Sequence, residues 1–355
     1  MQSNSSEEHI FSGVIYLVYA FDIGDDINLD AARKCPSIRT LQRDWPKYLK
    51  SYHKPLLIDV THSEVPIKAK HINLHHYGAL SMIYPVAFTG TLTSLRNTLN
   101  DVDAQYQKQS VADAHQIFKK IEKNIGQPKF FHQRNAYLVM TINPDAKVPA
   151  QKLREEYGGL IASTLRFEKT NISSYQVEDI LESATGYYRD DLVIIDTEAA
   201  FAYDHQAHDL LDFFELAITQ QLELRYFNHL LDRKLDEVYN GILQQPSFKN
   251  CLPFIGTMYD PIGELSKLKV DISVITERLG SSIKTVGEVY YSEIYDLLAE
   301  KLELNELRES VEKKLSIVRE IRTIYQSKVN SIREDILSVL VIILIFIEVL
   351  VGLFK

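Results

Sequence analysis

The densest group of residues able to do chemistry is acidic: Asp190, Asp191, Asp196, Glu198 and Asp204, with His205 and His208 directly after them. Carboxylates and imidazoles gathered in this way can hold a hard cation or pass protons. Taken as a strand, the segment places Asp196 and Glu198 on one face, because side chains alternate with period two. Asp196, Glu198, Asp204 and His205 are therefore the catalytic candidates. The plainer reading is that polar residues gather at strand ends and at a helix start, where an acid such as Asp209 suits the helix dipole.

A second group is His71, His75 and His76, with His62 upstream. Imidazoles four apart on a helix, or two apart on a strand, can share a metal. The surroundings of this group are extended, so His71 and His75 share a face and His76 points away. Such an arrangement needs further ligands, and partly exposed loop histidines are the plainer reading. No P-loop, dinucleotide fingerprint, nucleophile elbow, HExxH or EF-hand loop is present. Ser-x-x-Lys recurs at Ser51/Lys54, Ser266/Lys269 and Ser281/Lys284, as so loose a pattern does by chance.

Composition narrows the classes further. Cys35 and Cys251 stand far apart in no ligand spacing, so neither a disulfide framework nor a zinc knuckle is encoded. Two isolated thiols fit a reducing compartment. The formal net charge is -9, with acids spread along the chain. Phosphate binding draws on a basic surface, so direct nucleic-acid binding is not expected. No cofactor is expected either.

The elements that must position these candidates begin with Gly13 to Phe21, a β-branched and aromatic strand. A helix is expected over Ser37 to Lys50, then strands at Pro55 to Val60, Ile67 to Leu74 and Leu80 to Phe88. One helix opens at Thr91 and another covers Val111 to Ile125, stopped by Gly126 and Pro128. Ala136 to Ile142 is a strand, Gln151 to Ile161 and Val177 to Ser183 are helices, and Leu192 to Ile195 and Ala199 to Tyr203 are two strands or one bent strand. Strands and helices mix without regular alternation, which indicates an α+β body rather than a doubly wound sheet. The segment His208 to Leu243 is rich in Leu, Glu and Gln and reads as a long helix. Breakers from Gln245 to Pro261 make a loop that lets the chain reverse.

From Ile336 the chain runs ILSVLVIILIFIEVLVGLF, broken only by Ser338, Glu348 and Gly352. Nineteen residues at helical rise cover about 28 Å, near the ~30 Å hydrocarbon core of a bilayer. No polar stripe is present, as a soluble amphipathic helix would have. Glu348 is the costly residue: it serves a helix–helix contact or a proton-sensitive role, or it lies shallow where water reaches it. Lys328 and Arg333 flank the upstream end and Lys355 the other, so the positive-inside bias keeps the upstream body cytoplasmic. The amino terminus carries no signal-peptide pattern. A span closing the chain inserts after translation, as a tail anchor does.

Before the span, Leu304, Val311, Val318, Tyr325 and Ile332 recur every seven residues. Lys314 and Lys328 interrupt a companion row, so the helix has a broad apolar stripe rather than an ideal coiled-coil seam. That stripe either packs on the His208 helix as an antiparallel hairpin or pairs with copies of itself. The expected architecture is an α+β body over residues 1–204, a long helical hairpin over 205–335 and a transmembrane helix over 336–355.

Three stretches, YRDDLVIIDTEAAFAYD from Tyr188, LELRYFNHLLDRKLDEVY from Leu222 and REDILSVLVIILIFIEVL from Arg333, resemble the Rmd1/Sif2 family, the domain of unknown function DUF155. GALSMIYPVAF from Gly78 is similar more loosely. The resemblance implies a membrane-attached protein without an established reaction, mitochondrial in eukaryotic members. Without a targeting sequence here, it implies a relative at the bacterial cytoplasmic membrane. Function is accordingly expected to be that of a scaffold or tether, touching lipid, protein partners and itself through Glu348 and the seven-residue row. A membrane-tethered, metal-dependent enzyme using the Asp190–His208 region is the alternative.

Overall fold

The computed structural model describes residues 9–24, 26–41, 54–59, 69–130, 134–241 and 289–354. Ten strands and seven α-helices are described. The strands are β1 (Phe11–Asp22), β2 (Asp26–Ile27), β3 (Arg39–Leu41), β4 (Leu56–Asp59), β5 (His71–Leu74), β6 (Ala79–Gly90), β7 (Ile125–Gly126), β8 (Arg134–Ile142), β9 (Leu192–Ile195) and β10 (Ala199–Tyr203). The helices are α1 (Leu29–Arg33), α2 (Leu92–Ile121), α3 (Ala150–Leu165), α4 (Ser174–Glu182), α5 (Ala207–Gly241), α6 (Val289–Lys301) and α7 (Leu304–Leu353). Together they make an α+β body followed by a long C-terminal helical hairpin, with one apolar helix long enough to span a membrane.

Eight strands form one sheet in the order β3-β4-β5-β6-β1-β8-β10-β9. Its neighbours are antiparallel except β8 and β10, which start in parallel register at Leu138 and Ala199. Parallel strands need a crossover, and α3 and α4 lie in the chain between β8 and the β9–β10 pair. Alternation sends Ile15, Leu17, Tyr19 and Phe21 of β1 into a core with Ile72, Met82 and Met140. Leu95, Ile117, Leu153 and Ile180 of α2, α3 and α4 close that core from above. The opposite face, with Val18, Ala20, Ile83 and Val139, is buried as well, and Tyr137 of β8 stacks there on Phe214 of α5 at 5.5 Å. A sheet buried on both faces reads as long apolar runs, which is why its central strands were plain from the sequence.

The structure departs from the expected elements at the edges. Arg39–Leu41, expected inside a helix, pairs antiparallel with Leu57–Asp59 as β3; edge pairing overrides a weak helical preference there. Residues 42–50, 61–68 and 242–288 lie outside the described residues, and with them the loop at Gln245 to Pro261. The two helices expected between Thr91 and Ile125 are one, since no Pro or Gly interrupts 92–121. The Thr91 hydroxyl caps its start by accepting from the Ser94 N–H at 3.1 Å. In the stretch before the span, α6 and α7 are separated at Glu303, which takes a left-handed φ of 55°.

Two compact units divide the chain, one of residues 1–224 with 278–305, the other of 225–277 with 306–355. In the second, Phe227 and Leu231 of α5 pack on Val311, Leu315 and Val318 of α7. Lys314, which interrupts the apolar row, pairs with Asp232 at 2.5 Å and donates to the Asn228 carbonyl. Ser310 donates to the Asn228 side chain. These partners ascend together along both helices, so the two described arms run parallel, not antiparallel as expected, and the segment that joins them, 242–288, lies outside the described residues. Beyond them, every residue of α7 from Leu337 to Leu353 is exposed, Glu348 included.

Candidate functional site

From Leu210 to Leu224, α5 is buried on all sides. Polar side chains on such a segment must find partners inside the protein, because an unpaired buried polar group costs about 1–3 kcal/mol. Glu215 does so against β5 and β6. In their register Asn73 lies opposite Ser81, and both donate to Glu215 Oε1, Asn73 Nδ2 at 2.7 Å and Ser81 Oγ through a very short contact. The turn between the strands contains Gly78, whose φ of 95° suits glycine. That turn brings His75 back so that Nε2 lies 2.8 Å from Ser81 Oγ and 3.8 Å from Glu215 Oε1. The Tyr77 hydroxyl lies 3.1 Å from His75 Nδ1 and from Thr219 Oγ1.

A serine, a histidine and a glutamate in contact invite comparison with a nucleophile relay. In such a relay the carboxylate sits behind the imidazole and orients the nitrogen facing away from the hydroxyl. Here Glu215 shares the Nε2 side with Ser81, and Nδ1 faces Tyr77. Ser81 is fully buried and His75 is 1% exposed, so no substrate reaches them. The network holds structure. Burial pushes the Glu215 carboxyl up, but His75, Ser81 and Asn73 outweigh it and hold it below the usual glutamate value. Asn135 of β8 adds a further tie to α5, donating to Gln221 at 3.0 Å.

The acidic and histidine segment is split by its own hairpin. Asp196 and Glu198 lie in the turn between β9 and β10, where the Asp196 N–H donates to the Ala199 carbonyl. Asp191 and Asp204 lie at the open end, beside the paired residues Leu192 and Tyr203. Strand rise puts the two ends about 15 Å apart. Asp196 and Glu198 therefore do not share a strand face. Asp196 is fully buried and pairs with Arg166, whose Nε is 2.6 Å from Oδ2, and its carbonyl accepts from the Tyr137 hydroxyl. Glu198 is exposed.

At the open end, Asp204 Oδ1 accepts from the Gln206 N–H at 2.7 Å, just ahead of α5, and Oδ2 meets the Tyr290 hydroxyl at 3.5 Å. Asp191 Oδ2 accepts from the Tyr188 N–H at 2.8 Å. The loop closes tightly because residue 186 is glycine: a Cβ there would come within 2.4 Å of the Asp191 carbonyl oxygen. Burial first, and then the charges of Asp204 and Asp190, raise the Asp191 carboxyl above its usual range. Burial beside Asp204 and Asp191 likewise raises the Tyr290 phenol. Tyr187 and Tyr188 are 63% and 64% exposed, and Tyr187 touches both Tyr188 and Tyr290. His205 and His208 are exposed beside this end, and the His208 ring lies 6.3 Å from Tyr16.

Of the histidine candidates, His75 is in the sealed network, while His71 on β5 and His76 in the turn are partly exposed. Among the described residues no three His, Cys, Asp or Glu side chains converge to hold a metal. Sequence reasoning missed Asn73, Ser81, Glu215 and the tyrosines. Glu215 carried a signal: it lies at helical spacing with Asp212, Thr219 and Glu223, a polar stripe that is buried rather than solvated.

Comparison with known proteins gives a family match. The family model described as "Uncharacterized protein MJ0711, N-terminal domain" matches residues 12–209, from β1 into the start of α5. Uncharacterized protein MJ0711 of Methanocaldococcus jannaschii is 22% identical over 212 residues, 57% of this chain and 61% of that protein, so the chain covers about three fifths of its length. No solved structure matches. The match replaces the Rmd1/Sif2 (DUF155) resemblance, and the mitochondrial and bacterial settings lose the support which that resemblance gave them. The stretches that suggested it are a strand pair, a helix and an apolar span, patterns that unrelated chains share wherever a sheet precedes an anchor.

Proposed function

This chain belongs to the family of the N-terminal domain of uncharacterized protein MJ0711, and from that premise we propose that it is a membrane-anchored tether. In this reading it presents its α+β body to protein partners. One observation carries the proposal: from Leu337 to Leu353 every side chain of α7 is exposed, and nearly all are large and apolar. Leaving each such side chain in water forgoes about 1.5–3 kcal/mol of burial, and a bilayer relieves that along the whole helix. Lys328 and Arg333 before the apolar stretch, against Lys355 after it, favour the body on the cytoplasmic side. The row Leu304, Val311 and Val318 is buried within the chain, with Tyr325 and Ile332 partly so. Self-association in this reading falls to the span and its Glu348. No reaction is assigned to the body: its serine, histidine and glutamate are sealed, and the acidic segment is divided between two ends of a hairpin.

The test is flotation of the full chain with phosphatidylcholine vesicles. The wild type floats with lipid and resists extraction at alkaline pH, and Ile342→Lys/Ile345→Lys shifts it to the soluble fraction. A wild-type chain that stays monomeric in buffer without detergent and leaves the vesicles behind overturns the proposal.

A further inference from the structure

We infer that the open end of the β9–β10 hairpin is a docking site for a basic side chain, lysine or arginine, presented by a partner protein. The inference deepens the tether reading and rests on it for the existence of a partner. Outside α7, the large apolar side chains left exposed among the described residues are Ile10, Leu41, Tyr175, Tyr187, Tyr188 and Val289. Half of these gather at this one place, since Val289 opens α6 beside Tyr290. Tyr187 and Tyr188 stand at 88° to each other with centroids 4.7 Å apart, and Tyr187 meets Tyr290 at 5.4 Å. Two perpendicular rings form a corner, and ring faces attract cations through their quadrupole.

Beside that corner sit two carboxylates that water barely reaches, Asp191 and Asp204, each 9% exposed. Asp190 adds an exposed acid at the rim, and Arg189, His205 and His208 are the exposed basic groups of the same segment. Like charges held close in a poorly solvated place raise each other's cost. A cation relieves that cost, a neutral apolar ligand leaves it unchanged, and an anion adds to it. Lysine and arginine join a cationic head to an apolar stem. The stem lies on the exposed rings while the head faces the acids. Neither half of the site selects this occupant alone, but the charge and the aromatic surface together do.

The probe is a fluorescein-labelled nona-arginine peptide, with nona-glutamate as its control, added to the full chain in phosphatidylcholine vesicles. Wild type captures nona-arginine and ignores nona-glutamate. Tyr187→Ala/Tyr188→Ala, whose rings are on the surface, weakens capture at least tenfold at equal net charge. Absence of capture, or capture that the double variant keeps, overturns the proposal, the latter because it would reflect overall acidity alone. Displacement by tetramethylammonium at concentrations matching the peptide's own would make a small cation the occupant, and would equally overturn it. Vesicle flotation is scored on the same samples. Capture without flotation supports this site while removing the anchor.

Discussion

Glu215 and Asp204 are carboxylates of neighbouring origin, one within α5 and the other just ahead of it, yet they sit in opposite circumstances. Glu215 is ringed by Asn73, Ser81 and His75, all from a single β-hairpin and all sealed from water. Asp204 meets a backbone N–H and one distant phenol, beside rings that lie open to solvent. A carboxylate whose partners are all internal fixes the fold. One whose surroundings are left partly unmatched at the surface is available to something else. Burial of the carboxylates themselves does not separate them, at 4% and 9% exposed; the rings beside Asp204, open to solvent, do.

The largest expected effect comes from breaking the sealed side. Glu215→Ala leaves Asn73 and Ser81 without their shared acceptor, takes the nearby carboxylate from His75 and opens a cavity, and is expected to cost about 3–5 kcal/mol. A urea titration of the full chain in micelles, followed by near-UV circular dichroism, measures it. A cost under about 1 kcal/mol would erase the distinction between the two carboxylates. Next in size is the pH dependence. Because the folded Glu215 carboxyl is held below its ordinary value, the unfolded chain takes up the proton first. The stabilisation is present above the ordinary glutamate range and is lost as pH falls through the folded value. Thermal midpoints measured from pH 7 downward should therefore drop on the acid side in wild type, and more shallowly in Glu215→Gln.

Asp196→Asn should cost about 1–2 kcal/mol in the same titration, since Arg166 is partly exposed and can hydrate when its partner is neutralised. Smallest is Tyr187→Ala/Tyr188→Ala, expected within about 0.5 kcal/mol of wild type. A large destabilisation there would mean that the exposed rings belong to the core after all.

Much of the body was legible because its sheet is buried on both faces, so β1, β6, β8, β9 and β10 appear as apolar runs. The capping threonine at 91 marked the start of α2 in the same local way. The Glu215 network was not legible. It joins residues up to 142 positions apart, and it depends on the register that sets Asn73 opposite Ser81. No local pattern encodes such a register. Asp196 and Glu198 misled for a different reason: Asp-Thr-Glu between two apolar runs is a reverse turn, and asparagine and aspartate favour such turns through side-chain bonds to nearby backbone. Treating the segment as one strand put on one face residues that the turn separates. Arg39–Leu41 shows the remaining limit, a strand formed only because β4 is there to pair with it.

The apolar end of α7 lies in lipid if the chain is tethered, and in water or protein if it is not. With Cys35 and Cys251 replaced by serine and a nitroxide label on Ile345→Cys, the chain is placed in phosphatidylcholine vesicles and relaxation by oxygen is compared with relaxation by a water-soluble nickel chelate. Oxygen, concentrated in hydrocarbon, should dominate at residue 345, with the nickel effect rising for labels placed toward Lys328. A label at 345 that the nickel chelate relaxes as readily as one at 328 would contradict the membrane anchor, and the tether with it.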